Sequence, residues 1–134
     1  MKVYLIRHGE VNHNLYGLYN REDEDLNETG MKQAKKLREK IKNIEYDTII
    51  SSPLLRAKHT ANIINIENKD IVIDYRLKER DPGSLNGHPI EVTNREEYWN
   101  YYTTIQYGTS ENIKVFFINN WNDCKVIRNK TYSK

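Results

Sequence analysis

The first 73 residues alternate between short apolar runs and amphipathic stripes, and this alternation constrains the fold more than any other feature of the chain. Residues 2–7 are apolar-rich, run into a turn at Gly9 and read as a buried strand. Met31, Ala34, Leu37, Ile41 and Ile44 then recur at helical spacing, with Asn27 as a good N-cap and Glu28 favourably placed in the first turn. Residues 46–51 form a second run rich in β-branched side chains. Ser52-Pro53 pairs a capping hydroxyl with proline at the first helical position, and Leu54, Ala57, Ala61 and Ile64 make the stripe of a second helix. Ile71-Val72-Ile73 is a third strand. Residues 12–25 have no period and read as a loop, 82–87 carry Pro-Gly and Asn-Gly turn signals, and 92–105 and 113–121 read as helices. The order predicts an α/β domain of three layers, with helices on both faces of a mostly parallel sheet.

Length and composition bound the function classes. The 134 residues are enough for one domain, expected to span 1–134. With 37% hydrophobic and 30% charged residues, a folded, soluble domain with a polar surface is expected. No apolar run approaches the ~18 residues a membrane helix needs. The N-terminal apolar stretch is too short and too charged for a secretory signal, so the chain is expected to be cytoplasmic. The single cysteine, Cys124, excludes a disulfide framework and any CxxC site. A net charge of +2 argues for neither nucleic acid nor membrane as a partner. The basic residues within 32–42 read as a solvated helix face.

In parallel α/β sheets, ligands bind at the carboxyl ends of strands. Arg7, His8, Gly9 and Glu10 follow the first strand, with Asn14 four residues on. Ser51, Ser52 and Arg56 follow the second, and Arg76, Glu79 and Arg80 the third. Arginine forks suit a phosphate dianion, and a helix start adds backbone donors. Arg7 and Arg56 supply the forks, and the helix start at Ser52 the dipole. Guanidinium groups beside His8 push the imidazole toward its neutral form, whose lone pair can attack phosphorus. Glu79 is the candidate acid for the leaving alkoxide, if a bound phosphate favours its protonated form. A zinc site built from His8, Glu10 and His13 would need partner cysteines that the chain lacks, so no metal is expected. The aromatic group Tyr98, Trp99, Tyr101 and Tyr102 reads as helix packing or a lid over the rim rather than a base-stacking platform.

The stretch "LIRHGE" with Asn14 resembles the histidine phosphatase superfamily, which includes cofactor-dependent phosphoglycerate mutases and broad phosphomonoesterases. So do "LNETGMKQA" (residues 26–34), "YDTIISSPLLRAKHTA" (46–61) and "RLKERDPGSLNG" (76–87). The likeness covers most of residues 1–90 in order. It implies the phosphoglycerate mutase-like fold, His8 as nucleophile and Glu79 as proton donor. Arg7, Arg56 and Asn14 match its phosphate binders, Arg80 joins them among the substrate-binding residues, and Glu10 supports the loop.

The chain also departs from that pattern. Val11 stands where the family usually has threonine, and residues 20–25 match poorly. The second histidine, which the family carries in a late His-Gly motif after a further strand, has no counterpart among His13, His59 and His88. Ser110-Glu111 resembles the family's Glu-Ser region in reverse order, and 111–134 drift away. The chain therefore resembles a truncated or C-terminally altered member. Loss of the closing strand would leave a sheet edge through which a homodimer could form. The expected activity is phosphomonoester hydrolysis through a phosphohistidine, weakened by the missing histidine, on a small phosphorylated substrate and without cofactor. The alternatives are mutase-type phosphoryl transfer, a phosphate-binding pseudoenzyme or interaction module, and, more weakly, a nucleotide- or RNA-binding domain.

Overall fold

The computed structural model describes residues 2–79, 81–92 and 124–127. The chain opens with strand β1 (Val3–Ile6), followed by a short helix α1 (Asn12–Tyr16) and a long helix α2 (Glu28–Ile41). Strand β2 (Ile49–Ser51), helix α3 (Leu55–Ile64) and strand β3 (Ile71–Ile73) come next. Three 3₁₀ turns at Tyr75–Leu77, Gly83–Leu85 and Ile90–Val92 follow, and strand β4 is Cys124–Ile127. Strands pair in two parallel ladders. β1 pairs with β4, Val3 opposite Cys124 and Ile6 opposite Ile127, and β2 pairs with β3, Ile49 opposite Ile71. The α/β class and the parallel pairing agree with the sequence pattern.

α2 forms because its apolar positions recur on one face and its start is capped. Asn27 Oδ1 accepts from the Gly30 N–H at 2.8 Å, satisfying an orphan donor of the first turn. Arg38 and Lys40 in the last turn complement the helix dipole. Ala34, Leu37 and Ile41 are buried, and α2 packs on α3. Leu37, Ile41 and Ile64 make the core cluster, with Ile6 and Ile44 against it. Each such side chain withdrawn from water contributes about 1.5–3 kcal/mol. Ile44 joins this core from beyond the helix, because α2 ends at Ile41 and the Ile44 N–H turns back onto the Ile41 carbonyl.

Four expectations need correction or fall elsewhere. Residues 12–25 are not all loop, since α1 forms over five residues and is closed by Gly17 in the left-handed conformation at φ 66°. α3 does not begin at Ser52-Pro53. Leu54 stays extended at ψ 139° so that its side chain enters the core, and it is Leu54 that precedes the first helical turn. The Ser52 hydroxyl accepts from the Leu54 N–H at 3.4 Å, a local turn rather than a helix cap. A strand not expected among residues 111–134, β4, pairs with β1. The helices expected at 92–105 and 113–121 lie outside the described residues, except Val92, which closes a 3₁₀ turn. Leu5, Ile50 and Val72 are exposed along the strands.

Candidate active site

β1 delivers Arg7 and His8 to its carboxyl end, α3 presents Arg56 from its second residue, and Glu79 stands two residues beyond the turn Tyr75–Leu77. The electrostatics tie these four together, because the charges of Arg56, Arg7 and Glu79 all act on the His8 ring. The His8 pKa lies below its usual 6.5. Burial of the ring is the largest cause, and the two guanidinium groups push the same way. The bond to Gly9 and the charge of Glu79 oppose the shift. Guanidinium repulsion, the cause expected from the sequence, is outweighed by desolvation.

The His8 ring has a defined orientation. Its Nδ1 lies 2.6 Å from the Gly9 carbonyl oxygen, which can only accept, so Nδ1 carries the proton and Nε2 keeps its lone pair. Arg56 is 2% exposed. Its Nη1 donates to the Arg21 carbonyl and its Nη2 to Glu79 Oε2, each at 2.8 Å. Its Nε is buried and, among the described residues, without a partner. A buried donor left without a partner is costly, and a guanidinium fork is suited to a bidentate oxyanion.

The other sequence candidates fall elsewhere. Asn14 lies in α1, where its amide nitrogen donates to Asn20 Oδ1 at 3.1 Å. Arg80 lies outside the described residues. Arg76 is exposed and paired with Asp74, a surface ion pair rather than part of the cluster. His13 Nδ1 is 2.5 Å from Glu24 Oε1, and His59 Nδ1 is 3.0 Å from Asp25 Oδ1. His88 offers its carbonyl to the Tyr19 N–H. The poorly matching stretch 20–25 thus straps the rim together through Arg21, Glu24 and Asp25. A cleft of about 520 Å³ lies over it, lined by His13, Arg21, Glu22, Asp23, Asn86 and Gly87. It adjoins Arg56 through Arg21, whose carbonyl accepts from the guanidinium.

Sequence reasoning missed the residues that hold the His8 loop. The Gly9 N–H donates to Thr60 Oγ1 at 3.1 Å, and the Glu10 N–H donates to Gln33 Oε1 at 2.9 Å. Asn27 donates to Glu10 through its backbone N–H at 3.1 Å and through Nδ2 to Oε1 at 3.2 Å, the supporting role expected for Glu10. Gly9 and Gly30 cross so closely that a Cβ on Gly30 would lie 2.1 Å from the Glu10 carbonyl oxygen. The identities of Gln33, Gly30 and Thr60 stood inside the quoted motifs, but helical spacing alone reports which face they occupy and not what they bind.

Comparison with known proteins places this geometry. The family model of the histidine phosphatase superfamily (branch 1) matches residues 3–113. An uncharacterized phosphatase, PhoE, of Bacillus subtilis is 40% identical over 106 residues, covering 78% of this chain and 55% of its own. A probable phosphoglycerate mutase, GpmB, of Salmonella typhi is 38% identical over 102 residues, covering 74% and 47%. The solved phosphoserine phosphatase of Entamoeba histolytica, in complex with 3-phosphoglyceric acid, superposes with a TM-score of 0.64 at 33% identity, over 75% of this chain and 52% of that one. The chain spans about half the length of the curated relatives it matches. Among the described residues, no helix is long and apolar enough to cross a membrane.

Proposed function

The chain belongs to the histidine phosphatase superfamily, branch 1, and on that premise we propose that it hydrolyses small phosphomonoesters through a phosphohistidine at His8. The observation that carries this reading is the His8 ring itself, with Nδ1–H on Gly9, Nε2 keeping its lone pair, and the charges of Arg56, Arg7 and Glu79 acting on it. Nε2 attacks phosphorus, the P–N bond forms as the ester P–O bond breaks, and Glu79 gives the departing alkoxide its proton. Arg7 and Arg56 hold the phosphoryl oxygens during transfer. Water then cleaves the P–N bond, which returns His8 and releases phosphate. Glu79, with its side chain 44% exposed, gives water a route to the phosphohistidine and favours hydrolysis over transfer to a second substrate.

A second reading keeps the anion site but turns over slowly. It is favoured by the ion pair of Glu79 with Arg56 at 2.8 Å, which occupies the candidate acid. Incubation with a labelled phosphomonoester separates the readings. Base-stable, acid-labile label with release of free phosphate supports hydrolysis. Label transferred to an added alcohol or phosphoglycerate acceptor supports the mutase alternative. Thermal protection by inorganic phosphate without turnover supports the binding module. Equal labelling of His8→Ala and the parent chain would remove His8 as nucleophile.

A further inference from the structure

The peptide group between Gly9 and Glu10 is bonded at both of its ends. Its carbonyl accepts from His8 Nδ1 at 2.6 Å, and its N–H donates to Gln33 Oε1 at 2.9 Å. Gln33 stands on α2, 23 residues away in sequence. The preceding peptide is anchored as well, because the Gly9 N–H donates to Thr60 Oγ1. Thr60 is 3% exposed and spends its own proton on the Arg56 carbonyl at 2.8 Å, so its lone pair faces Gly9.

We infer that Gln33 is a positioning residue that sets the tautomer of His8 through the Gly9–Glu10 peptide, a role that rests on the reading of His8 as nucleophile. The physical chain is short. A peptide whose N–H is bonded to an acceptor carries more negative charge on its carbonyl oxygen, and bonds in such a chain strengthen one another. That oxygen holds the proton on Nδ1. Were the peptide to rotate, the ring would lose its hydrogen bond to the Gly9 carbonyl and Nε2 would take up the proton instead, which removes the attacking lone pair. Gln33 acts on the ring through this peptide. It decides which ring nitrogen keeps the lone pair. Thr60 fixes the other side of Gly9 and, through the Arg56 carbonyl, keeps the nucleophile loop in register with the helix that carries the cation.

The test compares Gln33→Met, which withdraws the acceptor, with Gln33→Glu, which keeps one. ¹⁵N shifts of the His8 ring are read at a pH where it is neutral, and no turnover is needed. The parent and Gln33→Glu should show Nδ1–H, and Gln33→Met a mixture moved toward Nε2–H. The rate of His8 phosphorylation in Gln33→Met should fall about tenfold to hundredfold, as for a displaced reacting group, with KM within about twofold of the parent. A parent-like tautomer in Gln33→Met overturns the proposal, as does an equal loss in Gln33→Glu. Should Gln33→Met not fold, Gln33→Asn, whose shorter arm draws the acceptor away, carries the same readout. If the parent takes up no phosphate on His8, the hydrolase reading fails, and the tautomer comparison still decides the role of Gln33.

Discussion

Arg56 Nη2 lies 2.8 Å from Glu79 Oε2, which joins a cation with a side chain 3% exposed to a carboxylate 44% exposed. The guanidinium also holds the Arg21 carbonyl, so one buried side chain links α3, the stretch 20–25 and the segment after β3. In the proposed reaction an arriving phosphate dianion competes with Glu79 for the same fork. Binding of the anion and release of the acid are coupled at Arg56 in that proposed reaction.

Arg56→Lys should keep the charge and lose the fork. A lysine ammonium is a point charge and cannot span the Arg21 carbonyl and Glu79 together as the planar guanidinium does. Affinity for inorganic phosphate, measured calorimetrically, should drop about tenfold or more. Unchanged affinity would place the anion site elsewhere.

The pH dependence follows from His8. Its folded pKa is lowered from 6.5, chiefly by burial. The acid limb of kcat/KM should thus lie below 6.5, since the ring stays neutral to a lower pH. The stability sign is the same. The unfolded chain binds the His8 proton more readily than the folded one. The contribution of His8 to stability is present above 6.5 and is lost as pH falls from there through the folded value. Chemical denaturation across this window should show less loss in His8→Gln than in the parent.

Glu79→Gln should separate good from poor leaving groups. An alkyl phosphate needs its alkoxide protonated and should slow by about 10²–10⁴-fold, while an activated aryl phosphate should hardly change. Equal slowing of both would reduce Glu79 to a partner of Arg56.

Gly30→Ala sets two effects against each other. Helix propensity favours alanine by about 1 kcal/mol. A Cβ at this site would lie 2.1 Å from the Glu10 carbonyl oxygen, and forcing that contact costs about 1–3 kcal/mol. Because the obstacle is backbone, the clash should win, with a net loss of stability in urea unfolding. Slower His8 labelling should accompany it, since the displaced residue adjoins the nucleophile loop. A stabilised variant would show that the loop yields freely.

The sequence by itself determined the elements whose signals are local. β1 reads from a run of apolar residues, α2 from a stripe with Asn27 at its head, and the rim of Arg7, His8, Arg56 and Glu79 from the rule that strand ends carry the chemistry. These depend on neighbours within a turn or a strand, so the chain states them directly. The tertiary structure alone decided the rest. Thr60 meets Gly9 across 51 residues, Gln33 meets Glu10 across 23, and β4 lies beside β1 from more than a hundred residues away. The start of α3 moved to Leu55 because burial of Leu54 outweighed a favourable capping pair at Ser52-Pro53. A hydroxyl or amide on a helix has the same local signature whether it faces water or a buried N–H. Only the packing of α2 and α3 against the end of β1 turns Gln33 and Thr60 into the acceptors that hold His8 in place.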